Sequence, residues 1–134
     1  MRILTVDDSS LVRLVIKRTI DLLGFEFLEA VDGKDGLRVV DSNNGQIDLI
    51  ILDRYMPVMD GLEMLKIIKS DENYKHIPIS MVTVESEREE IQNAIDYGAT
   101  NYLIKPFERE DLVGKILEGL GWEKMGEKDF SFLQ

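Results

Sequence analysis

Five side chains able to handle a phosphate or a divalent cation stand at the ends of four short apolar runs in this 134-residue chain. Ile3-Leu4-Thr5-Val6 runs into Asp7-Asp8. Leu49-Ile50-Ile51-Leu52, opened by Asp48, stops at Asp53. Ile79-Ser80-Met81-Val82 leads to Thr83, and Tyr102-Leu103-Ile104 leads to Lys105-Pro106. Short β-branched runs that alternate with helical patterns imply a parallel sheet. In such sheets ligands bind beyond the carboxyl ends of the strands, where these side chains converge. Three carboxylates offer the hard oxygen donors that Mg²⁺ prefers. A lysine and a hydroxyl beside them suit a phosphoryl group, whose transfer needs positioning and charge neutralisation more than covalent machinery.

Within that set Asp53 is the candidate nucleophile, because a carboxylate can attack phosphorus in line and become an acyl phosphate. Its ordinary alternative is a helix cap or a surface ion pair, the kind of role Asp48 illustrates. Asp7 and Asp8 are adjacent and cannot both point the same way from a regular strand, but a turning backbone lets both approach one cation. Read alone, they could simply cap the following helix. Without a metal the three carboxylates repel one another, so at least one pKa should rise. Lys105 would set its ammonium against phosphoryl oxygens, Thr83 would offer a hydroxyl, and each alone is also an ordinary surface or strand residue.

The elements that must position these residues are legible as five strand-then-helix units. Strands are expected at Arg2–Val6, Glu26–Ala30, Asp48–Leu52, Pro78–Thr83 and Asn101–Ile104, and helices at Ser10–Leu23, Lys34–Ser42, Gly61–Lys69, Glu87–Asp96 and Glu108–Leu120. Ser9 or Ser10 can cap the first helix and Gly24 can end it. Asp32-Gly33 and Asn43-Asn44-Gly45 read as turns, and Gly98 closes the fourth helix. The fold class is therefore α/β: a doubly wound, five-stranded parallel sheet with five helices. Residues 1–121 form the domain. Residues 122–134, with Trp122, Phe130, Phe132 and Leu133 among charges, form a C-terminal tail. It either folds back on the last helix or makes a partner or homodimer contact, since exposed aromatics favour interfaces.

Composition narrows the function classes. The formal net charge of −10 argues against direct nucleic-acid binding, because a phosphate backbone would repel the chain. No cysteine is present, which excludes disulfides and thiolate chemistry, and the lone His76 cannot build a histidine cluster. No apolar stretch approaches the ~20 residues of a membrane span, so a cytoplasmic location is the simplest expectation.

Taken in order, Val6-Asp7-Asp8, Leu52-Asp53-Arg54-Tyr55-Met56-Pro57-Val58-Met59-Asp60-Gly61, Thr83 and Lys105-Pro106-Phe107 resemble the receiver domain of two-component response regulators. The resemblance implies a phosphorylation-activated switch rather than an enzyme. Asp53 would accept a phosphoryl group from a sensor histidine kinase or a histidine phosphotransfer protein, with self-catalysed phosphorylation and slow autodephosphorylation only. Asp8 and Asp53 would be direct Mg²⁺ ligands, Asp7 would act mainly through water, and the Tyr55 backbone carbonyl would supply another oxygen. The Lys105-Pro106 bond would be cis, and Thr83 with Tyr102 would form the switch pair. Exposed Leu11 and Leu14 on the first helix, with Arg13, Lys17 and Arg18, would face the phosphodonor. A downstream protein would read the face made by the fourth helix, fifth strand and fifth helix, as in chemotaxis or a phosphorelay.

The sequence departs from that pattern at position 84, usually Ala or Gly in the family and here Val84. With Tyr55 and Glu85 flanking the same mouth, it suggests a sheltered, longer-lived phosphoaspartate. Other readings are a receiver cut from a larger regulator, a pseudo-receiver, a flavin carrier or an aspartyl-phosphate phosphatase. Asp7-Asp8 repels a flavin phosphate. Phosphatases of the haloacid dehalogenase type usually place a second Asp two residues after the nucleophile, where this chain has Tyr55.

Overall fold

The computed structural model describes residues 1–84 and 88–122. Its elements run β1 (Arg2–Val6), α1 (Ser10–Leu22), β2 (Glu26–Ala30), α2 (Gly33–Ser42), β3 (Leu49–Asp53), α3 (Gly61–Ser70), β4 (Ile79–Val84), α4 (Arg88–Asp96), β5 (Asn101–Lys105) and α5 (Arg109–Gly119). The five strands form one sheet in the order β2-β1-β3-β4-β5, every pair parallel. The expected doubly wound architecture is present.

Side chains alternate across each strand, and the alternation divides the core in two. Ile3, Leu49, Ile51, Val82 and Leu103 pack with Ile16 and Ile20 of α1 and with Leu112 and Ile116 of α5. Leu4, Val6, Ile50, Leu52, Ile79 and Met81 pack with α2, α3 and Ala94 of α4. Helices on both faces explain why β3 is buried at all five positions, as one unbroken apolar run ending in a carboxylate.

Strand order reverses between β1 and β3, and a crevice at such a switch point is where an open α/β sheet binds its ligand. Asp7 follows the end of β1 and Asp53 is the last residue of β3. Two polar residues expected just beyond the strands are inside them, Asp53 completing β3 and Lys105 completing β5, and β4 runs one residue past its expected end at Thr83. At the other end Asp48, expected to open β3, lies outside it. Its carboxylate accepts the Arg2 backbone N–H at 2.7 Å, tying down the start of β1.

Several helix starts are set by side-chain caps. Ser9, not Ser10, accepts the Val12 N–H at 3.2 Å. Asp32 accepts the Asp35 N–H at 2.8 Å, so Asp32-Gly33 is a helix start rather than a free turn. Asp60 accepts the Glu63 N–H at 3.0 Å. Beyond α5, Trp122 packs edge-on against Phe25, their rings 5.4 Å apart, over Val113 and Leu117. This first residue of the tail therefore belongs to the core. Phe130, Phe132 and Leu133 lie outside the described residues, as does Glu87, the expected start of the fourth helix.

Two glycines carry opposite constraints. A Cβ at Gly61 would collide with the carbonyl of Asp53, whereas one at Gly114, inside α5, would meet nothing within 4 Å. Relief of the glycine penalty makes Gly114→Ala stabilising by about 0.5–1 kcal/mol. Overpacking against the site backbone makes Gly61→Ala destabilising by about 1–3 kcal/mol. Urea denaturation of the two variants should move the midpoint in opposite directions.

Candidate functional site

The carboxyl edge of the sheet gathers Asp7, Asp8 and Asp53, each with an oxygen within 4.8 Å of the others. Asp7 and Asp53 are buried and Asp8 is exposed. Asp7 is fixed through both oxygens: Oδ1 accepts the Ser9 backbone N–H at 2.8 Å, and Oδ2 lies 3.3 Å from Lys105 Nζ. The same ammonium donates to Asp53 Oδ1 at 3.1 Å. Lys105 thus reaches from the end of β5, past β4, to bridge two carboxylates of β1 and β3. The Lys105-Pro106 bond is cis.

Strand register places Thr83 at the same edge. Asp53 pairs with Val82, Thr83 with Ile104, and Val84 with Lys105. The Thr83 hydroxyl is buried and has no hydrogen-bond partner among the described residues. Such orphaned groups in a fold call for an explanation, and an absent ligand is one. Tyr102 is half-buried against the core on the same sheet face as Met81, with the Lys115 ammonium 5.1 Å from its ring. Tyr55 and Val84 are exposed at the mouth, Val84 at 40%. Glu85 lies outside the described residues.

A profile of the response regulator receiver domain matches residues 3–117. The chain belongs to the receiver-domain family of response regulators. Among its relatives, chemotaxis protein CheY1 of Helicobacter pylori is 40% identical over 122 residues, 90% of this chain and 98% of that protein. CheY of Pseudomonas aeruginosa is 40% identical over 117 residues, 87% of this chain and 93% of that one. The structure of Vibrio cholerae CheY4 superposes with a TM-score of 0.81 at 36% identity, covering 89% of this chain and 98% of that one. The receiver domain of the sensor histidine kinase PA1611 from Pseudomonas aeruginosa gives a TM-score of 0.79 at 28% identity, covering 90% and 97%. Its structure carries a magnesium ion coordinated in the active-site cleft.

In this receiver the charges do not balance locally, since three carboxylates face one ammonium. Burial, then the charge of Asp7, pushes the Asp53 carboxyl up to about 6 despite the opposing attraction of Lys105; Asp8 adds to the rise. Burial pulls Lys105 down, but Asp53 and Asp7 outweigh it and hold the ammonium above its usual value. The rise foreseen from three clustered carboxylates therefore falls on the residue that would act as nucleophile.

The sequence reading did not foresee the contacts of two arginines beside the receiver site. Arg13, expected to face a partner, donates to the Asp7 carbonyl at 2.6 Å and to Glu29 at 2.7 Å. Lys17 is likewise engaged, with Asp21 at 2.7 Å. Arg54 is buried directly after Asp53 and pairs with Asp60 and with Glu90 in α4. A charge extending a buried apolar run was the available signal, but nothing in the sequence pointed to a partner 36 residues away. Val58 holds φ at +70° in the loop after Asp53, a conformation disfavoured for a β-branched residue.

The raised Asp53 pKa has a stability consequence whose sign is definite. The unfolded carboxyl titrates near 3.8 and the folded one near 6, so the folded state binds the proton more readily. The penalty is full above pH 6, shrinks as pH falls, and is gone below 3.8. In chelator at pH 7.5, Asp53→Asn should therefore raise stability by up to about 3 kcal/mol. Denaturation at stepped pH should show the advantage closing toward pH 4. Added Mg²⁺ at pH 7.5 should also narrow it.

Proposed function

We propose that this receiver is a phosphorylation-activated signalling switch in which Asp53 takes a phosphoryl group from the phosphohistidine of a sensor histidine kinase or a phosphotransfer protein. The observation that carries the reading is the Lys105 ammonium held between Asp7 and Asp53, beside a buried Thr83 hydroxyl that lacks a partner among the described residues. An Asp53 oxygen forms a bond to phosphorus as the phosphorus–nitrogen bond of the donor breaks, and the departing imidazole takes up a proton. Lys105 balances charge on the phosphoryl oxygens. Thr83 supplies a hydroxyl to one of them, and this pairing draws the end of β4 toward Asp53.

The carboxylates of Asp7, Asp8 and Asp53 fit Mg²⁺ as hard oxygen donors; Asp8 and Asp53 would hold it directly, Asp7 through water, and the Tyr55 carbonyl would be a further ligand. When bound, the ion supplies positive charge that lets nucleophile and phosphoryl approach. Metal removal should abolish phosphorylation.

Movement of Thr83 changes the room available to Tyr102, one strand away on the same face, so the surface of α4, β5 and α5 reports the phosphorylation state to a downstream protein. A phosphodonor has its own surface beside the site, where Leu11, Leu14 and Val15 stand exposed on α1. The output is regulatory, and we place the protein in the cytoplasm. Among the described residues no helix is long and apolar enough to cross a membrane.

Intact mass after incubation with an acyl- or amido-phosphate donor tests the chemistry. One phosphate adduct should form with Mg²⁺, none in chelator, and none in Asp53→Ala. An adduct that persists in Asp53→Ala would remove Asp53 from its role. Failure with small donors and with a phosphohistidine donor alike would leave a non-phosphorylated receiver.

Val84 projects at the mouth of this site and restricts the approach of water to the acyl phosphate. Val84→Ala should shorten the phosphoryl half-life several-fold, measured by loss of the adduct after the donor is removed. An unchanged half-life would show that Val84 does not shield it.

A further inference from the structure

Arg54 joins two parts of the molecule that the proposed switch requires to move relative to one another. Its backbone is built into the phosphoacceptor strand end: its N–H donates to the Val82 carbonyl at 2.8 Å, and its own carbonyl accepts from Gly61 N–H at 3.0 Å. Its side chain, 9% exposed, turns to the opposite face of the sheet from Asp53. There Nε donates to Glu90 Oε2 at 2.9 Å, Nη2 pairs with the same oxygen, and Nη1 lies 3.2 Å from Asp60 Oδ2. Asp60 is itself immobilised as the N-cap of α3, so the guanidinium is held from two sides. The Tyr55 ring stacks 4.6 Å from it.

Glu90 belongs to the first turn of α4, and among the described residues that helix has little else to hold it. Among the nine residues of α4 only Ala94 is buried. A helix with so small an apolar anchor takes its position from specific contacts, and the Arg54–Glu90 pair is shielded enough for its charges to interact more strongly than at the surface. The pair is closed in the arrangement in which the Thr83 hydroxyl has no partner and Lys105 spans Asp7 and Asp53.

We propose that Arg54 is a positioning residue that tethers α4 to the phosphoacceptor strand through Glu90 and holds that helix in its unphosphorylated place. This rests on the switch reading above and assigns to it a restraint. Movement of the end of β4 toward Asp53 must work against the tether, so the pair sets how readily phosphorylation reshapes the output face. A restraint on the activated arrangement also opposes, by linkage, the reaction that produces it.

Hydrogen exchange of the intact protein, with and without phosphorylation by an acyl phosphate and Mg²⁺, tests the tether in Arg54→Met and Glu90→Gln. Without phosphate, amides of residues 88–96 should exchange at least tenfold faster in Arg54→Met than in the parent, while β1 and β3 stay protected. Phosphorylation should loosen α4 in the parent and change it little in Arg54→Met. The small-donor phosphorylation rate should rise several-fold in both variants, and the double variant should be no faster than either single one. A purely structural ion pair would lower protection throughout the sheet without accelerating phosphorylation. Unchanged α4 exchange in Arg54→Met, or additive rates in the double variant, would overturn the tether. Absence of phosphorylation in the parent would instead count against the switch reading, with exchange in the unphosphorylated protein still reporting on the Arg54–Glu90 restraint.

Discussion

Three carboxylates held at one edge of a sheet with a single ammonium among them set the terms for the rest of this fold. Left to themselves, Asp7, Asp8 and Asp53 would spread apart. Asp7 and Asp53 stay in place because each is anchored by backbone with no freedom to retreat. Asp7 is clamped by the Ser9 N–H at the head of α1, and its carbonyl is held by Arg13. Asp53 ends a strand buried at every position, with Gly61 packed on its carbonyl. The parallel core on both faces of the sheet supplies the stability that this arrangement consumes. What remains is a partly unbalanced charge, visible as a proton affinity of Asp53 far above that of a solvated carboxylate. A site in that condition favours any ligand that brings positive charge, which is the property a metal-dependent phosphoacceptor needs before a donor arrives.

Two charge systems meet at the peptide bond between Asp53 and Arg54. Consecutive residues at a strand end project to opposite faces. One side chain therefore looks into the carboxylate cluster and the next looks toward α3 and α4. The first system is chemical: Lys105 with Asp7 and Asp53. The second is mechanical: Arg54 with Asp60 and Glu90. Because they share a backbone fixed to Val82 and Gly61, a displacement of β4 is felt by both. Thr83 lies on that strand, one residue beyond the Val82 carbonyl that receives the Arg54 N–H. On the proposed reading, coupling between chemistry and surface would need no long relay, since Asp53 and Arg54 are neighbours in sequence.

The strands and the catalytic set were legible because a doubly wound sheet writes its strands as unbroken apolar runs and its site as the polar residues that stop them. Asp7, Asp8, Asp53, Thr83 and Lys105 all occupy the edge where those runs end. The boundaries shifted by one residue at Asp53 and Lys105 for a physical reason: the ladder hydrogen bonds are made by backbone and continue after the side chains turn polar. Asp48 misled for the converse reason. Its carboxylate serves the opposite end of the sheet, where it binds the Arg2 N–H. The partners of Arg13 and Arg54 were illegible. A charged side chain declares its sign in the sequence but not its counter-ion, and Glu29 and Glu90 are chosen by strand order and helix placement alone.

That same pairing changes what the edge of α1 can offer a phosphodonor. With Arg13 committed to Glu29 and the Asp7 carbonyl, and Lys17 to Asp21, two of the three cations of α1 are engaged within the chain. Leu11, Leu14 and Val15 remain, exposed by 69%, 42% and 44%. Burying a side chain of this kind contributes about 1.5–3 kcal/mol, more than a solvent-exposed ion pair contributes. At long range a chain of net charge −10 is repelled by an acidic surface. On the proposed reading, recognition of a donor through α1 would depend on the shape of an apolar ridge, and added salt should not weaken it, because salt screens that repulsion. In the proposed transfer the charge would come from within the site, where Lys105 is held between Asp7 and Asp53.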